Sequence, residues 1–243
     1  MIDIHEGALF ISDAHDNVTR EAFYRFLCAI DEGEIETTQL FLMGDMFDLL
    51  IGEVAYTHRH YRKSIERLDR LSRKIEIHYI EGNHDFNLGS LFPHLRRYPI
   101  ARQPIRCTFH GKKILLSHGD WCEGPRYRLY AAIIRNPLLL RLLDLIDRMR
   151  GNRISKSILK KQQHKYICRK IPDFYAYIKQ KIEKYDIGIS KIDFVCEGHY
   201  HQNVEYRFAG TTYKNFASFA CEKCYYRITF EDKVVFKELC LRG

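Results

Sequence analysis

Gln39-Leu40-Phe41-Leu42-Met43-Gly44-Asp45-Met46-Phe47-Asp48 passes in one step from a near-continuous apolar run to a glycine and a carboxylate. A run this short and this apolar reads as a strand buried on both faces, and the glycine lets the backbone turn sharply after it. The same grammar recurs along the chain. Residues 8–11 lead to Ser12-Asp13-Ala14-His15, residues 75–80 to Glu81-Gly82-Asn83-His84-Asp85, residues 113–116 to Ser117-His118-Gly119-Asp120, and residues 193–196 to Gly198-His199-Tyr200-His201. A helical pattern over residues 20–30 separates the first two runs. Polar residues at the carboxyl ends of strands are where α/β folds place their sites, so an α/β domain with one composite site is expected.

The residue types in these clusters suit metal chemistry. Asp13 and His15, two positions apart, can both turn toward one ion from the end of a strand, and Asp45 can bridge two cations. Asn83 offers a neutral amide oxygen, His84 an imidazole, and Asp85 an acid able to orient that imidazole. His118, His199 and His201 complete the set. A single histidine at a strand end is usually a hydrogen-bonded structural residue; five clusters of this kind in one chain are not explained that way. Mixed imidazole and carboxylate ligation without thiolates suits manganese, iron or zinc. A bridging carboxylate implies two ions, and ions roughly 3.5–4 Å apart can clamp a phosphoryl group and lower the pKa of a water between them.

Residues 123–184 break the rhythm. Leu129, Ile133, Leu138, Leu139, Leu142, Leu143, Ile146 and Met149 recur at helical spacing, and Pro137 should end one helix and open another. After His201 four strands are expected, over residues 204–208, 213–216, 225–230 and 234–239. Residues 121–184 hold 16 Lys/Arg against 5 Asp/Glu, a net of +11, so the remainder of a chain of net +8 carries −3. A basic segment on a mildly acidic body points to an anionic partner, a solvated helical surface being the plainer alternative.

With 46% hydrophobic and 29% charged residues in 243, the composition is that of a globular chain and excludes a disordered or fibrous one. The first six residues lack a basic stretch followed by an apolar one, so a secretory leader is not expected and the protein is read as cytosolic. Its eight cysteines are scattered, and they are expected to be reduced. Cys221-Glu222-Lys223-Cys224 lacks a second ligand pair at persuasive spacing and reads as a connection between two strands rather than a zinc site.

Taken in order, Asp13-x-His15, Gly44-Asp45-x-x-Asp48, Gly82-Asn83-His84-Asp85, His118 and Gly198-His199-x-His201 resemble the signature of the calcineurin-like metallophosphoesterase superfamily. That resemblance implies a four-layer αββα sandwich, a single domain over residues 1–243 interrupted by a helical lid at about 123–184. It implies one ion held by Asp13, His15, Asp45 and His201, and another held by Asp45, Asn83, His118 and His199. His84 would face the substrate phosphate, assisted by Asp85, and Asp48 would stand behind the ligands.

Most of the chain from Phe10 to His201 further resembles the UDP-2,3-diacylglucosamine diphosphatase family of lipid A synthesis, through residues 45–52, Asn83-His84-Asp85-Phe86, His118-Gly119-Asp120-Trp121-Cys122 and the basic helical insertion. The resemblance implies manganese-dependent attack of water at the α-phosphorus of a nucleotide-lipid, giving UMP and 2,3-diacylglucosamine 1-phosphate. It implies a lid that receives acyl chains and a peripheral position on the anionic cytoplasmic face of the inner membrane. Asn83, His84 and His199 would touch substrate, and within the lid Tyr127, Arg153, Ser155, Lys156, Lys160 and Lys161 are the candidates. The chain departs from that family at His84, where arginine is usual, and in a spacing one residue shorter before Cys122. A phosphodiesterase or nuclease with the same metals is the alternative, and a non-catalytic scaffold a more distant one. The insertion interleaves its charges with aliphatic rather than aromatic residues, which disfavours a nucleic-acid partner.

Overall fold

The apolar run before Asp13 forms β2 (Leu9–Ile11), the run before Gly44 forms β3 (Gln39–Leu42), and the run before Gly82 forms β5 (Glu76–Ile80). The computed structural model describes residues 1–185 and 191–241. In chain order the remaining strands are β1 (Ile2–Asp3), β4 (Leu50–Ile51), β6 (Asp85–Phe86), β7 (Arg96–Tyr98), β8 (Ile105–Phe109), β9 (Lys112–Ser117), β10 (Phe194–Glu197), β11 (Val204–Phe208), β12 (Thr211–Asn215), β13 (Cys224–Glu231) and β14 (Lys233–Cys240). They build two six-stranded sheets, ordered β14-β13-β2-β3-β5-β7 and β1-β8-β9-β10-β12-β11, and a small pair β4-β6.

Phe10, Phe41, Met43 and Ile80 from the first sheet meet Phe109, Ile114, Leu116 and Cys196 from the second in one buried cluster, so the sheets pack face to face. The outer face of the first sheet is covered by α1 (Ala22–Asp31) and α3 (Arg62–Leu71), through Phe23, Phe26, Leu27, Leu68 and Leu71. A short helix, α2 (Ala55–His60), precedes α3. The outer face of the second sheet is covered by α7 (Phe174–Ile182), whose Phe174, Ile178 and Ile182 pack on Leu115, Val195 and Tyr213. The four layers are those of an αββα sandwich.

Residues 123–163 are the helices α4 (Pro125–Ile134), α5 (Pro137–Met149) and α6 (Arg153–Gln163). Pro137 opens α5 after Asn136, whose side chain accepts from the amides of Leu138 and Leu139. The expected insertion divides in two. Its first three helices lie beside the sandwich, whereas α7, read from sequence as part of the same block, is a layer of the sandwich itself. Lys181 on α7 is buried, and its ammonium donates to both carboxylate oxygens of Glu197 at 2.8 and 2.9 Å and to Tyr200 Oη at 2.7 Å. Removing either charge would leave the other buried and unpaired, which is why this pair fixes the position of α7 on β10.

On α5 the burial is the reverse of the usual amphipathic arrangement. Leu140, Asp144 and Asp147 face inward, while Leu138, Leu139, Leu142, Leu143, Leu145 and Met149 are exposed. The buried acids have partners: Asp144 accepts from the amide of Ala55 at 3.1 Å, and Asp147 from those of Ile154 and Ser155 at 2.8 and 3.0 Å, at the amino ends of α2 and α6.

The cysteine expectation is corrected here. Cys168 is bonded to Cys221 and Cys224 to Cys240. Chain spacing concealed both pairs, because partners 53 and 16 residues apart are brought together only by the folded topology. Residues 221–223 lie in the connection from β12 to β13, which includes a short helix, α8 (Phe219–Glu222), and Cys224 opens β13. Among the described residues no helix is long and apolar enough to cross a membrane.

Candidate metal centre

β2, β3 and β5 are parallel neighbours in one sheet and β9 and β10 in the other, so their carboxyl ends stop along one edge of the sandwich. The five polar turns therefore meet. The convergence forces unusual backbone: Asp13, His15, Asp45, His199 and His201 all have left-handed φ values, between 44° and 65°. Each such residue costs on the order of 1–3 kcal/mol and persists only where its surroundings over-determine it, a signature of functional sites.

Two glycines permit the close approach. A Cβ on Gly44, whose φ is +91°, would lie 2.4 Å from His118 Nδ1, and a Cβ on Gly82 would lie 2.2 Å from Asp45 Oδ1. Neither position admits a side chain without moving a candidate ligand.

The imidazoles are aimed from behind. His118 Nδ1 pairs with the carbonyl of Met43 at 2.9 Å, His201 Nδ1 with that of Ile167 at 2.7 Å, and His84 Nδ1 with that of Asp48 at 2.7 Å. A ring whose Nδ1–H donates to a carbonyl presents Nε2 as the available atom. Donor atoms of Asp13, His15 and His201 lie within 4.8 Å of one another, as do those of Asp45, His118 and His199. Asn83 Oδ1 is 3.2 Å from His118 Nε2, which brings it to the second group. Asp45 stands between the two. Burial raises its pKa, but the charges of His118, His84 and His15 outweigh burial and hold it well below the usual carboxylate range.

The residues fit a divalent cation. His15 is buried, neither of its ring nitrogens has a hydrogen-bond partner, and burial lowers its pKa toward the neutral, ligating form. A buried imidazole nitrogen without a partner costs free energy that a cation at Nε2 would recover, while Nδ1 faces the Asp48 carboxylate. Asp48 lies 3.5 Å from His15 Nδ1 and is itself fixed by Arg20, at 2.6 and 2.8 Å, and by Asn17 at 2.5 Å, as expected of a residue standing behind the ligands.

The calcineurin-like phosphoesterase family model matches residues 8–203. The chain belongs to that family. Its domain is thus that of a metal-dependent phosphoesterase, a fold that implies divalent ions, for which these residues form candidate groups. It is 28% identical over 206 residues to the UDP-2,3-diacylglucosamine hydrolase of Blochmanniella pennsylvanica, covering 80% of this chain and 78% of that one. To the UDP-2,3-diacylglucosamine hydrolase of Psychromonas ingrahamii it is 26% identical over 165 residues, covering 66% of this chain and 65%, just under two thirds, of that one. Among solved structures, a dimetal phosphatase from Danio rerio superposes with a TM-score of 0.50 at 13% identity, covering 96% of this chain and 95% of that one, a likeness of fold.

Within this phosphoesterase site, Asp85 does not touch the His84 ring it was expected to orient. Its carboxylate accepts from the amides of Asp45, Met46 and Gly82, at 3.0, 2.5 and 2.9 Å, and from Tyr79 Oη at 2.6 Å. Burial and the Asp45 carboxylate push its pKa up to about 7 against the pull of these donors. Asp85 therefore positions the turn that carries Asp45, and the partner of His84 is a backbone carbonyl.

Most of the lid candidates also fall elsewhere. Tyr127 donates to Asp120 at 2.7 Å. Arg153, Lys156 and Lys161 line a separate open cavity beside Met149 and Ile158, Lys160 is exposed, and Ser155 is buried at the start of α6. The cavity over the ligands, about 390 Å³, is walled instead by Lys165, Tyr166, Ile167, Arg169, Ile171 and Tyr200. Residues 164–173, the loop between α6 and α7, were not singled out by sequence, since an irregular segment has no periodicity and this one matches no motif.

Protons compete with cations for imidazole and carboxylate ligands, so metal affinity should rise with pH. Competition against a chelator of known affinity should show tighter binding at pH 8 than at pH 6, by up to about tenfold per pH unit for each proton displaced. Burial lowers the pKa values of His15 and His199, so the protons displaced over that interval would come from His118 and His201, where the effect of burial is outweighed by Asp45 and Asp13 and the pKa values are raised. Affinity independent of pH would mean that neither of those two is a ligand.

Proposed function

We propose that this chain hydrolyses the diphosphate of UDP-2,3-diacylglucosamine, giving UMP and 2,3-diacylglucosamine 1-phosphate, with two divalent ions, manganese by preference. The observation that carries the reading is that a helical insertion with exposed leucines reaches the ligand edge through Arg135, whose guanidinium donates to the Gly82 carbonyl at 2.9 Å. A substrate with a diphosphate and two acyl chains requires both. When bound, the ions supply positive charge to the phosphoryl oxygens and activate the attacking water. Asp13, His15, Asp45 and His201 would hold one, and Asp45, Asn83, His118 and His199 the other.

The chain's own residues do the rest. Water adds to the α-phosphorus, the bond to the bridging oxygen breaks, and that oxygen leaves with the sugar phosphate. His84, which lines the cavity with Nδ1 committed to Asp48, has Nε2 free to meet the phosphate or the departing oxygen. Lys165 and Arg169 bring cationic charge to the same cavity, where a diphosphate would be held. The relatives named UDP-2,3-diacylglucosamine hydrolase support the substrate.

The insertion α4–α6 acts as the lid, and the protein works at the cytoplasmic face of the inner membrane as a peripheral protein. Two forces act on the lid: acyl burial, at roughly 0.8 kcal/mol per CH₂, and attraction of Lys/Arg to anionic headgroups, at about 1 kcal/mol per residue near the surface. The first sets substrate affinity, the second residence at the membrane. Replacing Leu139 and Leu143 by serine should weaken turnover of the acylated nucleotide sugar while leaving a de-acylated analogue nearly unchanged. Equal losses on both would remove the lid from the account. Charge reversal at Lys160 and Lys161 should chiefly reduce salt-sensitive binding to anionic liposomes.

A further inference from the structure

The two disulfides do different things. Cys224 and Cys240 face each other across β13 and β14, whose register runs from Cys224↔Cys240 to Glu231↔Lys233, so that bond adds a link to strands already joined along their length. Cys168 lies in the irregular loop 164–173 and Cys221 in α8, and their bond joins segments 53 residues apart.

Both ends of that bond lead to the metal centre. The residue before Cys168, Ile167, supplies the carbonyl paired with His201 Nδ1 at 2.7 Å. On the other side, α8 rests on the Asp13 turn, with the amides of Phe219 and Ala220 donating to the carbonyls of Ser12 and Asp13 at 2.9 and 3.1 Å. Asp13 Oδ1 and His201 Nε2 are 3.1 Å apart and belong to one ligand group. The covalent bond thus ties together the two supports of one cation site. Both cysteines are half-buried rather than enclosed in the core, which leaves their bond nearer to solvent and to exchange than one in the core.

We propose that Cys168 and Cys221 form a thiol–disulfide modification site that sets the affinity of the Asp13, His15 and His201 group for its cation. The inference rests on the phosphoesterase reading of that group and adds its regulation. A dithiol donor gives two electrons and two protons, the Cys168–Cys221 bond opens to two thiols, and the donor becomes a disulfide. Loop 164–173 then keeps hydrogen bonds such as Ile171 N to Gln202 Oε1 at 2.9 Å, with the partly exposed Lys170–Glu222 ion pair at 3.7 Å as a weaker tie to α8, and the carbonyl that aims His201 is less well fixed. A small-molecule disulfide reverses the change. In a reducing compartment such a bond is transient and serves as a sensor, which agrees with the cytoplasmic placement proposed above.

Loss of a partner behind a metal ligand typically costs 10–100-fold in affinity, so reduction should weaken one of the cation sites by about tenfold. The test uses the full chain with manganese, treated with dithiothreitol or with oxidised glutathione. Thiol alkylation read by mass reports which cysteines are free, and chelator competition reports affinity. Oxidised protein should bind tightly at both sites. Reduced protein, a separate aliquot of which alkylates at Cys168 and Cys221, should bind one ion about tenfold more weakly, and reoxidation of the unalkylated remainder should restore it. Cys168→Ser should remain in the weak state under both treatments, whereas Cys224→Ser should still respond. Equal affinity of oxidised and reduced wild type, or a redox response that survives in Cys168→Ser, would overturn the proposal. Metal affinity is read independently of hydrolysis. A chain that hydrolysed no phosphate ester yet still changed affinity on reduction would keep the switch and lose the functional reading.

Discussion

His84→Ala is expected to retain its metal ions and lose most of its turnover. The ring lines the cavity over the ligands, and its Nδ1 pairs with the Asp48 carbonyl at 2.7 Å, so Nε2 is the atom left for substrate. As an imidazolium it can stabilise charge on the phosphate or protonate the departing oxygen, a role typically worth about 10²–10⁴ in rate. The backbone amide of His84 donates to Asp45 Oδ1 at 2.8 Å, and alanine preserves that bond. The ligand turn should survive the substitution. Single-turnover kinetics together with elemental analysis make the distinction: loss of both ions from a folded His84→Ala protein would make His84 a ligand.

Asp45→Asn should be the more damaging change, because it acts on both ligand groups at once. Asparagine keeps the size and can still accept from His84 N, but it removes the charge that His118 faces at 3.4 Å and that two cations would share. The loss of metal affinity should exceed the roughly 10–100-fold typical of removing a partner behind a ligand. It should extend to both ions rather than one. Calorimetric titration with manganese measures this directly: a variant that still bound two ions tightly would show that Asp45 does not bridge. Asp85→Asn should have a milder effect that includes metal binding, because Asp85 holds the Asp45 and Gly82 turns together through three backbone amides.

The part of the centre legible in the sequence is the part made by local rules. An apolar run followed by glycine and a carboxylate specifies a buried strand and a sharp turn within a few residues, and those turns proved to hold Asp13, His15, Asp45, Asn83, His118, His199 and His201 together. What was not legible depends on which way an element faces or on what lies far away in the chain. The leucines of α5 show helical periodicity, but periodicity states which residues share a face and not which face turns inward. Asp144 and Asp147 decide that by accepting from the amino ends of α2 and α6. Helix α7 has the same apolar spacing as the insertion before it, and its place in the sandwich rests on partners distant in the chain, the second sheet under Phe174, Ile178 and Ile182 and the buried Lys181–Glu197 pair. Asp85 looked like a partner for the histidine beside it, yet adjacent residues at a turn point apart, and its carboxylate faces backbone amides. The Cys168–Cys221 bond and the cavity wall from Lys165 to Ile171 come from an irregular loop, where neither period nor motif gives a signal.

The measurement that bears most directly on the account is turnover by the manganese-loaded chain of UDP-2,3-diacylglucosamine, a small soluble phosphodiester and single-stranded DNA, compared by kcat/KM under one set of conditions. The account predicts that the nucleotide-lipid dominates and that UMP and 2,3-diacylglucosamine 1-phosphate appear in equal amounts. Faster cleavage of the DNA or of the small diester, with the nucleotide-lipid left intact, would contradict it.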